Sequence, residues 1–297
     1  TARIGSVFTP LTVRRSYTDF FPSLNARIAL GENWVVRLGA QRGVSRPAYG
    51  AIRVGSSIND TSSPGTIGGG NPGLLPEYTW GADASVEWYL PGNGIVAVSG
   101  FHRWVDNVFY QNTQAVGSDV FNSGAIDRSA YLLSSTFNGT NGKLYGIELN
   151  YQQKFTFLPS PLDGFGFQGN LTFLEGSFDT QLVGGIQRTG VPFLGLSDTI
   201  ANASLYYEKY GFSARISYQW RSDWFDSLGG FGSGESRKGY ANVDVSLRYK
   251  VNDNFTLFAD AANLTDTIYV AYEGTYDKPT EVEQIGARYM FGFRFNF

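Results

Sequence analysis

From Gly211 onward the even positions Phe212, Ala214, Ile216, Tyr218 and Trp220 are apolar, while Ser213, Arg215, Ser217, Gln219 and Arg221 between them are polar. Side chains of a β-strand alternate between two faces, so this stretch predicts a strand with one apolar and one wet face. The alternation returns at Val243, Val245, Leu247 and Tyr249 against Asp244, Ser246, Arg248 and Lys250. It returns again at Trp80, Ala82, Ala84, Val86 and Trp88 against Asp83, Ser85 and Glu87. Less regular strands are predicted over 2–9, 20–30, 34–45, 95–110, 142–157, 164–177, 200–208, 255–263 and 281–297, about twelve in all. Each is near or above the roughly 9–11 residues that a tilted membrane strand needs. The last carries rings at Tyr289, Phe291, Phe293, Phe295 and Phe297, all on one face. In water such a face would invite aggregation; against lipid it needs no cover.

Turn residues fall at Gly31-Glu32-Asn33, Pro91 to Gly94, Pro159 to Asp163, Lys209 to Gly211 and Asn252 to Asn254. Between them lie long connections at 10–19, 46–77, 111–141, 178–199, 222–239 and 264–280. Short and long alternate, which gathers every long loop at one end of an antiparallel sheet. That is the arrangement of outer-membrane barrels, whose short turns face the periplasm, and it puts the C-terminus on the periplasmic side. The fold class expected is all-β, a transmembrane antiparallel β-barrel. A soluble sandwich or propeller also has many short strands but demands no such ordering of loops.

Composition agrees with this reading. Aromatic residues make up 16% of the chain and charged residues only 16%, against a usual charged share of roughly 25%. Mean hydropathy is −0.18, and no run approaches the roughly 18 apolar residues of a membrane helix. A net charge of −3 without basic clusters points to no nucleic-acid partner. Cysteine is absent, which removes disulfides, thiol catalysis and thiolate metal sites. With no initiator Met and no signal-peptide pattern, the sequence is expected to be a mature or truncated product.

Little in the chain suggests chemistry. The glycine runs at 68–70 and 229–234 lack the lysine and following helix of a phosphate loop. Asp60, Asp119, Asp127 and Asp226 lack the spacing of a calcium loop, so neither metal nor cofactor is expected. The one histidine, His102, lies on a strand of ambiguous parity, where a wall role is favoured over a catalytic base.

Several stretches resemble the C-terminal half of TonB-dependent outer-membrane receptors. Arg42-Gly43-Val44-Ser45-Arg46-Pro47 is similar to the family's Ser-Arg-Pro segment, and Gly70-Asn71-Pro72-Gly73-Leu74-Leu75-Pro76-Glu77 to its Gly-Asn-Pro-x-Leu-x-Pro-Glu segment. Asn263-Leu264-Thr265-Asp266 resembles the Asn-Leu-Thr-Asp after the family's penultimate strand, and Phe297 its terminal aromatic. Residues 206–215 look like the subgroup common in Caulobacter- and Xanthomonas-like bacteria. On bland physical grounds, Pro47 and Pro76 stop strand pairing, Asn71-Pro72 starts a turn, and Asn263 caps or turns the chain.

The resemblance implies a barrel of twenty-two strands with a plug inside. This chain, residues 1–297, would supply the C-terminal portion of the barrel, and the plug and the TonB-binding motif would lie upstream. It further implies a non-enzymatic receptor in the Gram-negative outer membrane that imports a scarce nutrient, an oligosaccharide or a ferric siderophore. Partners would be membrane lipid, TonB, the barrel-assembly machinery and a small-molecule ligand. The alternative is a complete twelve-stranded barrel acting as a passive pore, an autotransporter translocator or a phospholipase.

On the receptor reading, ligand contacts come from Tyr49, Trp104, Tyr110, Phe121, Phe225, Phe231, Tyr240, Tyr272 and Tyr276 in the outer loops, since aromatic faces stack on sugars and aromatic chelators alike. Trp224 continues the lipid-facing parity of Trp220 and is expected in the interfacial girdle. Inward Arg215, Arg221, Arg248 and Arg294 could meet an anionic ligand or the plug, but no subset stands out. The resemblance also implies that Tyr289, Phe291, Phe293, Phe295 and Phe297 form the assembly signal.

Overall fold

The computed structural model describes residues 2–4, 7–9, 13–181, 187–228 and 234–296, with residues 2–4, 7–9 and Gln181 in backbone only. Eleven strands form one continuous wall. They are β1 Ser23–Leu30, β2 Trp34–Ser45, β3 Glu77–Leu90, β4 Gly94–Asp106, β5 Leu132–Lys154 and β6 Phe165–Gln181. The wall continues with β7 Thr199–Lys209, β8 Phe212–Arg221, β9 Tyr240–Lys250, β10 Phe255–Ala262 and β11 Arg288–Phe295. Each pairs antiparallel with its neighbours in that order. Short turns close the β1–β2, β3–β4, β5–β6, β7–β8 and β9–β10 hairpins at one end, and all long loops lie at the other.

The alternation read from the sequence sorts the two faces. Outward positions include Leu24, Ile28, Leu38, Val86, Val98, Ile147, Leu205, Ile216, Leu247 and Leu257, each between 38% and 70% exposed in the isolated chain. Surface of that kind is stable only against lipid. Trp34 and Trp88 stack at 5.3 Å near the turn end, while Trp80, Trp104 and Trp220 stand toward the loops. Trp80 and Trp88 are about 26 Å apart along β3, or about 20 Å in height after tilting, which fits a lipid band roughly 25 Å tall. Outward charges are confined to the two ends: Arg42, Asp106, Lys143 and Glu175 toward the loops, Lys209 at a short turn.

The inner face is polar and internally paired. Arg37 donates to Glu87 at 2.6 and 3.2 Å, Arg103 to Asp83 at 2.6 Å, and Arg248 to Asp260 at 2.8 and 3.0 Å. His102 belongs to the other side, where it lies between Trp104, 4.0 Å away, and Tyr145, 5.6 Å away. Its buried Nδ1 has no hydrogen-bond partner among the described residues.

Several boundaries differ from expectation for identifiable reasons. Residues 2–4 and 7–9 pair with each other and, among the described residues, with neither edge of the wall. The predicted strand 281–297 divides into Pro279–Gln284 in a loop and β11, separated at Gly286 with φ 82°. The predicted strand 95–110 breaks at Asn107, φ 60°, and resumes as Val108–Ala115. β5 begins ten residues before the predicted 142, because its extension stands beyond the membrane and pairs with Val108–Ala115 and, in parallel, Thr66–Gly69.

The stretches that carry the family resemblance fasten this loop end. Asn71 accepts from the Gly73 N–H at 2.9 Å and donates to the Thr136 carbonyl at 3.1 Å. Leu75 N–H donates to Asn138 Oδ1 at 2.8 Å, while Leu74 and Pro76 are fully buried. Asn263, at φ 56°, donates to the Gly286 carbonyl at 3.1 Å and accepts from the Thr267 N–H at 3.1 Å. The buried hydrophobic cluster also lies here, built from Val105, Val108, Tyr110, Phe178 and Val191.

Candidate ligand site at the outer mouth

Beyond β8 the chain leaves the wall at Ser222-Asp223 and starts a second ladder of four short strands. Trp224–Leu228 pairs with Gly234–Arg237, that strand with Ile268–Glu273, and the last with Pro279–Gln284. Between this loop sheet and the inner ends of β8 and β9 lies a hollow of about 440 Å³. Arg221, Trp224, Tyr240, Tyr269, Arg237 and Glu283 are among its lining residues.

The guanidinium of Arg221 lies 3.7 Å from the centre of the Trp224 ring, and it donates to Ser197 Oγ at 2.8 Å and the Gly195 carbonyl at 2.7 Å. Trp224 donates its indole N–H to Asp226 at 3.0 Å, and Arg237 meets the same carboxylate at 3.1 Å. Asp226 raises the Arg237 guanidinium further above its ordinary value, against a smaller effect of burial. Tyr240 is edge-on to Trp224 at 6.0 Å and to Tyr269 at 4.9 Å. Asn242 donates to the Tyr269 hydroxyl at 3.2 Å, and its buried Oδ1 has no partner among the described residues. Flat rings and guanidinium groups suit a planar, oxygen-rich ligand.

Next to the hollow, Asp223 collects hydrogen bonds from the Tyr272 hydroxyl at 2.9 Å, the Tyr276 hydroxyl and the Gly239 N–H at 2.7 Å. Burial would raise the Asp223 carboxyl, but these donors and Lys238 outweigh it and hold it below the usual range. Burial and the Asp223 carboxylate push Tyr272 up to about 12. On the far side of the mouth, Arg128 clamps the loop that carries Asp60 with two bonds of 2.7 and 2.8 Å. Hydrogen bonding to Arg128 holds Asp60 below its ordinary value.

The candidate residues separate into groups. Tyr240 lines the hollow, Tyr272 and Tyr276 sit beside it on Asp223, and Phe225 packs behind it against the buried cluster, with Arg188 at 5.7 Å from its ring. Tyr110 is 2% exposed and belongs to the loop core. Phe121 gives its carbonyl to Arg128, and Tyr49 stands 92% exposed in another loop. Trp104 lies not in a loop but on β4, on the outward face opposite Trp80. Phe231 lies outside the described residues.

Trp224 is a correction. It turns inward to Arg221 and Tyr240, because the break at Ser222-Asp223 resets the alternation that Trp220 obeys. Tyr269, Arg237 and Asn242 were not singled out by the sequence. The run Ile268-Tyr269-Val270-Ala271-Tyr272 has strand composition, the signal that could have placed Tyr269 in a ladder beside Tyr240.

An open antiparallel wall, apolar outside and polar inside, with elaborate loops at one end, defines a bacterial outer-membrane β-barrel protein. Residues 3–264 match the family model described as TonB dependent receptor-like, beta-barrel, and the chain belongs to that family, in the outer membrane of a Gram-negative bacterium. Comparison with curated protein sequences gives no match.

Among solved structures, a variant of the ferric enterobactin receptor PfeA of Pseudomonas aeruginosa superposes with a TM-score of 0.67 at 18% identity, over 94% of this chain and 40% of that one. The siderophore receptor PirA of Acinetobacter baumannii gives 0.64 at 15% identity, over 94% and 41%. The ferric-catecholate import receptor Fiu of Escherichia coli gives 0.60 at 16% identity, over 93% and 34%. At these identities the likeness is one of fold. The chain thus spans about two fifths of the length of PfeA.

Proposed function

We propose that this chain is the C-terminal wall and outer mouth of a TonB-dependent receptor that imports a ferric siderophore. The observation that carries the reading is the hollow where Arg221, Trp224, Tyr240 and Tyr269 present rings and a guanidinium toward the barrel interior. A ferric chelate is often anionic and, when built on catechols, aromatic, so it would find both kinds of contact there. An oligosaccharide would use the rings and accept hydrogen bonds from the guanidinium without needing its charge, and the subgroup resemblance at 206–215 keeps it as the second reading.

In this proposal TonB acts through an upstream plug, and the remaining strands complete the barrel. Two edges that are unpaired among the described residues support that, because an unpaired edge in hydrocarbon costs several kcal/mol per open group. The outward rings Tyr289, Phe291, Phe293 and Phe295 serve as the assembly signal together with Phe297. The experiment is growth of a deletion strain carrying the whole receptor under iron starvation and on single oligosaccharides. Tyr240→Ala with Arg221→Gln should abolish growth on one ferric siderophore while leaving the receptor at wild-type abundance. Loss of oligosaccharide growth alone would select the second reading, and unchanged growth on both would overturn the site.

A further inference from the structure

Four neighbouring strands each place one residue in a single row on the outward face. Arg42 on β2 lies opposite Trp80 on β3, Trp80 opposite Trp104 on β4, and Trp104 opposite Lys143 on β5. Trp80 and Trp104 are 47% and 52% exposed. Indole rings at the loop end of the wall mark where hydrocarbon gives way to headgroups. A cation stands at each end of this indole pair, three strand spacings or about 14 Å apart. At that height the polar phase on the outside is the headgroup layer of the outer leaflet.

Among the described residues neither cation is neutralised by a close carboxylate. Arg42 donates to the Phe20 carbonyl at 3.0 Å and lies 4.8 Å from the centre of the Tyr78 ring, and Lys143 is exposed. The carboxylates on this face are hydrogen-bonded or set higher: Asp179, which feels the charge of Lys143, accepts from Asn141 at 2.7 Å and from the Gly190 N–H at 2.9 Å. Asp19 is held by Arg46 at 3.3 Å and by the Tyr78 hydroxyl at 2.7 Å, and Glu175 accepts from the Tyr145 hydroxyl at 2.6 Å. Asp106 lies one row further toward water, opposite Tyr78.

We propose that this row docks the headgroup of an outer-leaflet lipid bearing two phosphates, one at Arg42 and one at Lys143, with its body lying across Trp80 and Trp104. Guanidinium binds phosphate in a bidentate fork and ammonium binds it as a point charge. The site faces away from the transport path, so lipid binding and nutrient uptake can fail independently.

The test is native mass spectrometry of the whole receptor, delipidated in mild detergent and titrated with diphosphoryl lipid A, the dephosphorylated lipid and inorganic phosphate. Wild type should retain the diphosphoryl lipid and bind the dephosphorylated one much more weakly. Arg42→Gln with Lys143→Gln should lose about thirtyfold in affinity, the expectation for two cations at an anionic surface. Arg42→Lys should restore most of the Arg42 part, and Lys209→Gln at the opposite end should change nothing. If the double variant does not assemble, Lys143→Gln alone, at an exposed site, should still lose about fivefold. Equal binding by the variants, or of the dephosphorylated lipid, would overturn the proposal. Competition by millimolar phosphate would overturn it too, since the site would then take a free anion.

Discussion

Asp223 holds the outer-mouth loop sheet through two tyrosine hydroxyls and the Gly239 N–H, and its ionisation should govern how firmly that sheet closes. Its carboxyl lies below the ordinary value, so its contribution is present above about pH 4 and fades as pH falls through the lowered value. Tyr272 is raised to about 12, so its contribution is complete below its ordinary value of about 10 and is lost as pH climbs toward 12. The loop sheet should therefore resist protease best between about pH 4 and pH 10. Asp223→Asn should bring Tyr272 ionisation back toward its ordinary range, read as the difference in tyrosinate absorbance from the same variant carrying Tyr272→Phe. An unchanged Tyr272 titration would exclude the carboxylate as a cause.

A strand of this wall separates lipid from water along its whole length, and substitutions on its two faces should differ accordingly. Ile216 stands outward at mid-height on β8, opposite Leu205 and Val245, whereas Gln219 faces the interior and is exposed. Ile216→Arg should cost about 2–4 kcal/mol in urea unfolding from vesicles, and Gln219→Arg no more than about 0.5 kcal/mol. Equal costs would mean that the faces are misassigned. The same boundary explains what the sequence makes legible: the alternation that runs from Phe212 to Arg221 is β8, Phe212–Arg221, because lipid on one side and water on the other impose strict alternation. Above the membrane both faces of a strand meet water or other loops, so Thr66–Gly69, Val108–Ala115 and Ile268–Glu273 carry no such signature. The site divides along the same line. Arg221 and Tyr240 lie in or next to wall strands and could be read as inward, while Trp224 and Tyr269 depend on a strand break and a loop ladder that alternation does not encode.

Strand direction decides what the whole wall can close upon. β1 runs from the loop end to the turn end, and because each of the eleven strands reverses its neighbour, β11 runs the same way. Direct pairing of β1 with β11 would be parallel, the one parallel contact in an otherwise antiparallel wall. Closure that keeps every pair antiparallel requires an odd number of further strands between the edges, and the hairpin of residues 2–4 and 7–9 does not supply one among the described residues. The chain has no cysteine, so introduced pairs can report this directly. In the whole receptor Ile28→Cys with Val36→Cys, opposite each other on β1 and β2, should form a disulfide on mild oxidation. Ile28→Cys with Phe293→Cys, each two residues short of the turn end of β1 or β11, should not, because a disulfide needs Cα atoms within about 7 Å. Efficient cross-linking of the second pair would show the eleven strands closing on themselves, and would remove both the plug-sized interior and the receptor reading that depends on it.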